Sequence, residues 1–224
     1  MRVSPLEGHR IWSGAYDRQL NPLLALEGRV LVEAIGSLQG KRFVDVGCGT
    51  GRWMAYWQSR GAHVIGVDLC REMLLEATRK PRLAGRLVLG EAGFLPLADA
   101  VSDLTLCSFA LGYMSDPAAV IREMARIAAP RSRIVIADLH PHALRAGWTR
   151  SFRSGEAVYE IENFVHSPAD LLAAAQSAGL RQEACKEAQF GEPERAIFSS
   201  AGKGQLFSEM SRIPAVWIAA WTKP

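Results

Sequence analysis

Phe43-Val44-Asp45-Val46-Gly47-Cys48-Gly49-Thr50-Gly51-Arg52 runs an apolar strand straight into three alternate glycines, and Trp53, Met54 and Trp57 follow at helical spacing. Glycine is required where the backbone takes positive φ or where a ligand comes closer than a Cβ permits, so the stretch reads as strand, ligand-binding turn and helix start. A dinucleotide turn needs G-x-G-x-x-G, whose last glycine lets the helix pack closely on the strand. Here the third glycine is Gly51, one place early, and Arg52 stands where that pattern has glycine. A phosphate-cradling P-loop would continue with Gly-Lys-Ser/Thr, and this chain does not. The turn points to a nucleotide-like ligand without phosphates.

Outward from the turn, His63-Val64-Ile65-Gly66-Val67-Asp68 reads as a second strand ending in an acid. A carboxylate at that tip can accept from both hydroxyls of a ribose, which makes Asp68 the expected ribose ligand. A third strand, Arg86–Gly90, runs into Glu91-Ala92 and then Leu95-Pro96. A fourth, Asp103–Cys107, opens into Ser108-Phe109-Ala110-Leu111-Gly112-Tyr113.

Across residues 40 to 140 the chain resembles the class I S-adenosylmethionine-dependent methyltransferases, in particular the type 11 and ubiquinone/menaquinone-biosynthesis-like small-molecule branch. The resemblance rests on Val44–Gly51 as the glycine motif, Val67-Asp68-Leu69 as the acidic motif, Gly90-Glu91-Ala92 with Leu95-Pro96, and Arg126-Ile127-Ala128-Ala129-Pro130 before the fifth strand. It departs at Gly93-Phe94, where acids are usual, and at Arg131-Ser132, where two glycines are usual. The resemblance implies S-adenosyl-L-methionine as cofactor. Its methionine part would lie across Gly47, Cys48, Gly49 and Gly51, its ribose on Asp68 and one adenine face on Leu69. Glu91 and Ala92 would read the adenine edge, and Ser108 would close the site after the fourth strand. Tyr16-Asp17 resembles a doublet found in a lid over the cofactor, which makes Tyr16 a further candidate contact.

The remaining pattern predicts an α/β fold. Asn21-Pro22 opens an amphipathic helix, Leu23 to Leu38, ended by Gly40; Asp116-Pro117 opens another, stopped by Pro130; and Ser167-Pro168-Ala169-Asp170 opens a third, ending at Gly179. Arg133–Ala137 is the fifth strand, and strands near Leu180–Phe190 and Ala215–Thr222 finish the sheet. Alternation of strands and helices demands parallel strands joined by right-handed crossovers. The expected architecture is a doubly wound, mostly parallel seven-stranded sheet, which the resemblance makes a Rossmann-like methyltransferase fold, with an N-terminal helical lid. Residues 1–224 are expected to form one domain: 1–40 the lid, 41–139 the cofactor-binding half, and 140–224 the acceptor-side insertion and last strands.

Composition narrows the partners. Lys+Arg 26 against Asp+Glu 23 gives a net charge of +3, too small and scattered for a nucleic-acid groove. Cys48, Cys70, Cys107 and Cys185 have no metal-ligand spacing, and three of them sit beside predicted strand ends, as reduced apolar cysteines do. No stretch approaches the ~18 apolar residues of a membrane span. A cytoplasmic enzyme without metal is expected, acting on a small acceptor with an apolar or aromatic part, and a homodimer remains open. Two other classes compete: an RNA methyltransferase, disfavoured by Cys107-Ser108-Phe109-Ala110 where base-methylating relatives carry an Asn/Asp-Pro-Pro-aromatic run, and a non-catalytic cofactor binder.

Ligands of open α/β sheets bind beyond the carboxyl ends of the strands, so the segment after the fifth strand faces the acceptor. It carries His140-Pro141-His142, and imidazole suits proton removal near neutral pH, so His140 is the candidate general base. Phe109, Tyr113, Trp148 and Phe152 are the candidate apolar pocket. Trp53 and Trp57, four apart on one helix face, and Trp217 and Trp221 are expected in the core.

Overall fold

The computed structural model describes residues 1–224. In chain order it forms β1 (Arg2–Val3), α1 (Pro5–Tyr16), α2 (Pro22–Ile35), β2 (Arg42–Val46), α3 (Arg52–Gln58), β3 (His63–Asp68) and α4 (Arg71–Thr78). Then come β4 (Leu87–Leu89), β5 (Ser102–Ser108), α5 (Pro117–Ile127), β6 (Ala128–Leu139), α6 (Pro141–Arg145), β7 (Ser151–Ser154) and β8 (Ala157–Ile161). The chain closes with α7 (Pro168–Ser177), β9 (Arg181–Ala188), α8 (Glu192–Ser200), α9 (Phe207–Met210) and β10 (Val216–Thr222).

Seven strands form one sheet in the order β4-β3-β2-β5-β6-β10-β9. Side chains alternate across a strand, so the apolar runs of the middle strands feed two cores at once. Phe43, Leu104, Leu106, Val135 and Ile218 pack on one face with α2, α3 and α8, whereas Val44, Val46, Cys107, Ile134 and Ile136 pack on the other with α5 and α7. Trp53 and Trp57 join the first core, and Trp217 and Trp221 the second. β2, β3, β4, β5 and β6 pair in parallel, but β10 runs antiparallel between β6 and β9. The mostly parallel seven-stranded sheet expected is thus present, and its one antiparallel strand is β10, which returns after α8 and α9 to fill a gap between strands already placed.

Two boundaries move. The helix expected to reach Gly40 stops at Ile35, where Gly36 takes φ 73° and ends it. β6 starts at Ala128 rather than Arg133, directly after α5.

A second sheet, β1-β8-β7, was not foreseen. β1 pairs in parallel with β8, Arg2 opposite Glu160 and Val3 opposite Ile161, and this fastens α1 over the sheet's carboxyl edge. Gly8 permits the closeness: a Cβ there would lie 2.7 Å from Ile161 Cγ1. At its other end α1 is tied down through Asp17, which accepts from Thr50 Oγ1 at 2.8 Å and from Lys80 Nζ at 2.6 Å.

Candidate active site

The ends of β2, β3 and β5, the turn after β4 and the inner face of α1 enclose a cleft of about 450 Å³. Tyr16, Gly47, Cys48, Gly49, Asp68, Leu69, Glu91, Ala92 and Ser108 all border it. Gly51 does not. It stands behind the turn with φ 73°, where a Cβ would lie 2.8 Å from Leu83 Cδ1, so it shapes the turn from beneath. Gly47 also has positive φ, 70°, and a Cβ there would strike the Cβ of Ala110 at 2.5 Å. A Cβ on Gly49 would meet nothing within 4 Å, because its open side is the cleft.

Asp68 is fixed from behind: its Oδ2 accepts from Gly49 N at 2.7 Å and its Oδ1 from Cys70 N at 2.8 Å. Burial raises its carboxyl, and those amides and His9 oppose the rise. Each oxygen keeps a further lone pair for a ligand hydroxyl. Leu69 is 56% exposed at the mouth of the cleft and so free to lie along a ring.

Two buried acids lie deeper. Asp45, at the end of β2, is 2% exposed, and burial pushes its carboxyl up to about 8, with Glu27 and Asp68 adding to the rise and Arg52 opposing it. No hydrogen-bond donor of the protein reaches it, so burial keeps it protonated near neutral pH and leaves it free to meet a ligand. Glu27, fully buried on α2, is satisfied instead: it accepts from Arg52 at 2.5 Å, from Trp53 Nε1 at 3.0 Å and from Ser108 Oγ. The Ser108 hydroxyl is thereby committed to the floor of the cleft. Glu27 had a sequence signal, since it shares the helical phase of Leu23 and Leu31 as an acid among apolar residues.

The acceptor-side expectations fare differently. His140 is absent from the cleft wall. Its Nδ1 accepts from His142 N at 3.0 Å as the N-cap of α6, and its Nε2 lies 3.1 Å from Glu187 Oε1 on β9, so packing at the far strands occupies both nitrogens. Phe109 and Tyr113 border the cleft, whereas Trp148 stacks on Phe190 and Phe152 is sandwiched between Trp12 and Tyr159. Phe109 takes φ 51° directly after β5, a strained position of the kind found beside ligands. His9 was missed. It borders the cleft from α1, on the same face as Trp12 and Tyr16, and that three-and-four spacing was the available signal.

Residues 44–136 match the family model described as "Methyltransferase domain", in agreement with the resemblance carried by the glycine and acidic motifs. The chain is 33% identical over 127 residues to a malonyl-[acyl-carrier protein] O-methyltransferase of Pectobacterium atrosepticum, covering 57% of this chain and 49% of that one. It is 32% identical over 115 residues to a demethylmenaquinone methyltransferase of Renibacterium salmoninarum, covering 50% and 48%. The chain thus spans about half the length of the curated relatives it matches. A solved S-adenosylmethionine-dependent methyltransferase from Mesorhizobium loti shares the fold, with a TM-score of 0.69, 21% identity, and coverage of 88% of this chain and 97% of that one.

Proposed function

We propose that the protein transfers the methyl group of S-adenosyl-L-methionine to a small-molecule acceptor, a reading supported by the match of residues 44–136 to the family model described as "Methyltransferase domain". The observation that carries this reading is the meeting of the glycine turn, Asp68 and the donor-free Asp45 in one cleft. A sulfonium ligand with an ammonium group supplies the donor that Asp45 lacks. When bound, the cofactor provides a methyl already activated on sulfur.

The chain's own task is then to hold and align. Asp68 takes the ribose diol, Leu69 covers an adenine face, and Glu91 and Ala92 read the adenine edge. Gly47, Cys48 and Gly49 let the methionine part cross the turn, Gly51 keeps the turn's shape, and Tyr16 covers it from α1. Ser108 contributes as a spacer, its hydroxyl being held by Glu27. Phe109, Tyr113 and Met114 line the acceptor end and suit an apolar or aromatic acceptor. In-line alignment and exclusion of water are worth ~7–11 kcal/mol in a well-oriented site. No helix is long and apolar enough to cross a membrane, and three of the four free cysteines are buried, which supports a reducing compartment such as the cytosol.

Thermal melting tests the reading. S-adenosylhomocysteine at 100-fold its Kd should stabilise the protein by ~2.7 kcal/mol, and NAD should not. Stabilisation by NAD alone would overturn the assignment. Phenols, quinols, amines, malonyl-acyl carrier protein and demethylmenaquinone then form the acceptor panel, the last two being the compounds named for the relatives.

A further inference from the structure

Of the five histidines in the chain, His9 alone borders the cleft. His140 caps α6, and His166 Nε2 donates toward the carbonyls of Leu111 and Met114. His9 Nδ1 lies 2.7 Å from the carbonyl oxygen of Pro5. A carbonyl can only accept, so Nδ1 carries the proton and Nε2 carries the lone pair. The ring meets that of Tyr113 edge-on, with centroids 4.6 Å apart, in the short turn that follows β5. Asp68, at the tip of β3, borders the same cleft and is near enough for its charge to act on the ring. His9 therefore stands at the joint between the half of the cleft that takes the adenosyl group and the half left for the acceptor.

Resting on the methyl-transfer reading, we propose that His9 Nε2 removes the proton from an acceptor that arrives with a protonated hydroxyl or amine nucleophile. The Nε2 lone pair takes the proton, and the freed pair on oxygen or nitrogen forms the bond to the methyl carbon. The carbon–sulfur pair passes to sulfur, and the imidazolium then returns its proton to solvent.

The surroundings favour a neutral ring. Burial lowers the basicity of His9, with Arg150 acting in the same direction; the Pro5 carbonyl and Asp68 oppose it. Tyr113, facing it from the turn after β5, is held in its neutral form by burial and so adds no charge. Cys70, at the start of the neighbouring α4, has its thiol raised by burial and adds none either. The base is thus ready at neutral pH and is lost by protonation below the ordinary imidazole value of 6.5.

The alternatives within reach are worse suited. Burial raises the Tyr113 phenol although the Arg150 guanidinium, 4.6 Å from its ring centroid, opposes the rise, so it stays protonated near neutrality and cannot serve as a base there. Asp68 is engaged by two backbone amides.

Nitrogen-15 NMR of the protein saturated with S-adenosylhomocysteine, with His9→Gln used for assignment, reads the proposal without turnover. Nε2 should be unprotonated at pH 7 and titrate below pH 6.5. A protonated Nε2 at pH 7 overturns the proposal. In the methyl-transfer assay, His9→Gln should lower kcat by ~10²–10⁴. It should also erase the acid limb of the pH profile, while the Kd for S-adenosylhomocysteine stays within about twofold. An unchanged kcat with the acid limb intact likewise overturns it. Failure of the wild-type protein to bind S-adenosylhomocysteine is a different result and defeats the methyl-transfer reading itself.

Discussion

Between pH 4 and pH 8 the folded protein keeps a proton on Asp45 that the unfolded chain releases, because the carboxyl titrates at about 8 in the cleft against 3.8 in the open. Protons bound preferentially by the folded state stabilise it, so this contribution is complete below pH 4 and is lost as pH rises toward 8. Asp45→Asn stays neutral throughout. Its ligand-free melting temperature should exceed that of wild type at pH 8 to 9, with the gap closing as pH falls below 4; parallel pH profiles for the two proteins would refute the argument. The same variant should bind S-adenosylhomocysteine more weakly at pH 8, since the ammonium loses its counter-charge. Asp68 tests the other end of the ligand. Hydrogen bonds to a charged acceptor are worth ~1.5–3 kcal/mol each, so Asp68→Ala should weaken S-adenosylhomocysteine at least tenfold in a calorimetric titration. Asp68→Asn, which keeps an oxygen for one backbone amide, separates ligand loss from collapse of the turn. Asp68 was legible from its place at a strand tip. The state of Asp45 was not, because nothing in Val-Asp-Val says that no donor will reach the carboxylate.

At the scale of elements, α6 shows how a residue type can mislead. His140 follows a strand that points at the acceptor side, yet the five-residue helix after it needs a cap, and its Nδ1 supplies one. An N-cap is worth ~0.5–2 kcal/mol. His140→Ala should therefore lower stability by about 1 kcal/mol in urea unfolding and leave affinity for S-adenosylhomocysteine unchanged, with His140→Asn restoring most of the loss. A fall in ligand affinity would place His140 in the site after all. Helix starts were the most readable elements, since Asn21-Pro22, Asp116-Pro117 and Ser167-Pro168 each cap a helix as their spacing predicts. Strand direction was not readable. Val216–Thr222 is apolar enough for a buried strand of either sense, and its antiparallel place depends on where the chain returns after α9.

Over the whole molecule, the seven-stranded sheet could be read from the sequence because each middle strand is apolar on both faces and each is followed by a turn signal. The β1-β8-β7 sheet could not be read. Its first strand has two residues, and Ser151–Ile161 alternates too weakly to announce a hairpin. Yet that small sheet completes the cover of the cleft, adding a second anchor to the one Asp17 makes with Thr50 and Lys80. α1 precedes in sequence every residue it lies over, whereas its anchor, Glu160 and Ile161, follows every strand and loop that borders the cleft. Contacts of such wide sequence separation form late, because the intervening chain must be ordered before they repay loop closure. As the polypeptide grows, the end of α1 at Asp17 can therefore find its partners Thr50 and Lys80 long before the end at Val3 finds Ile161. The last anchor of the cavity's cover is thus supplied by a part of the chain that is made after all the rest of the cavity wall.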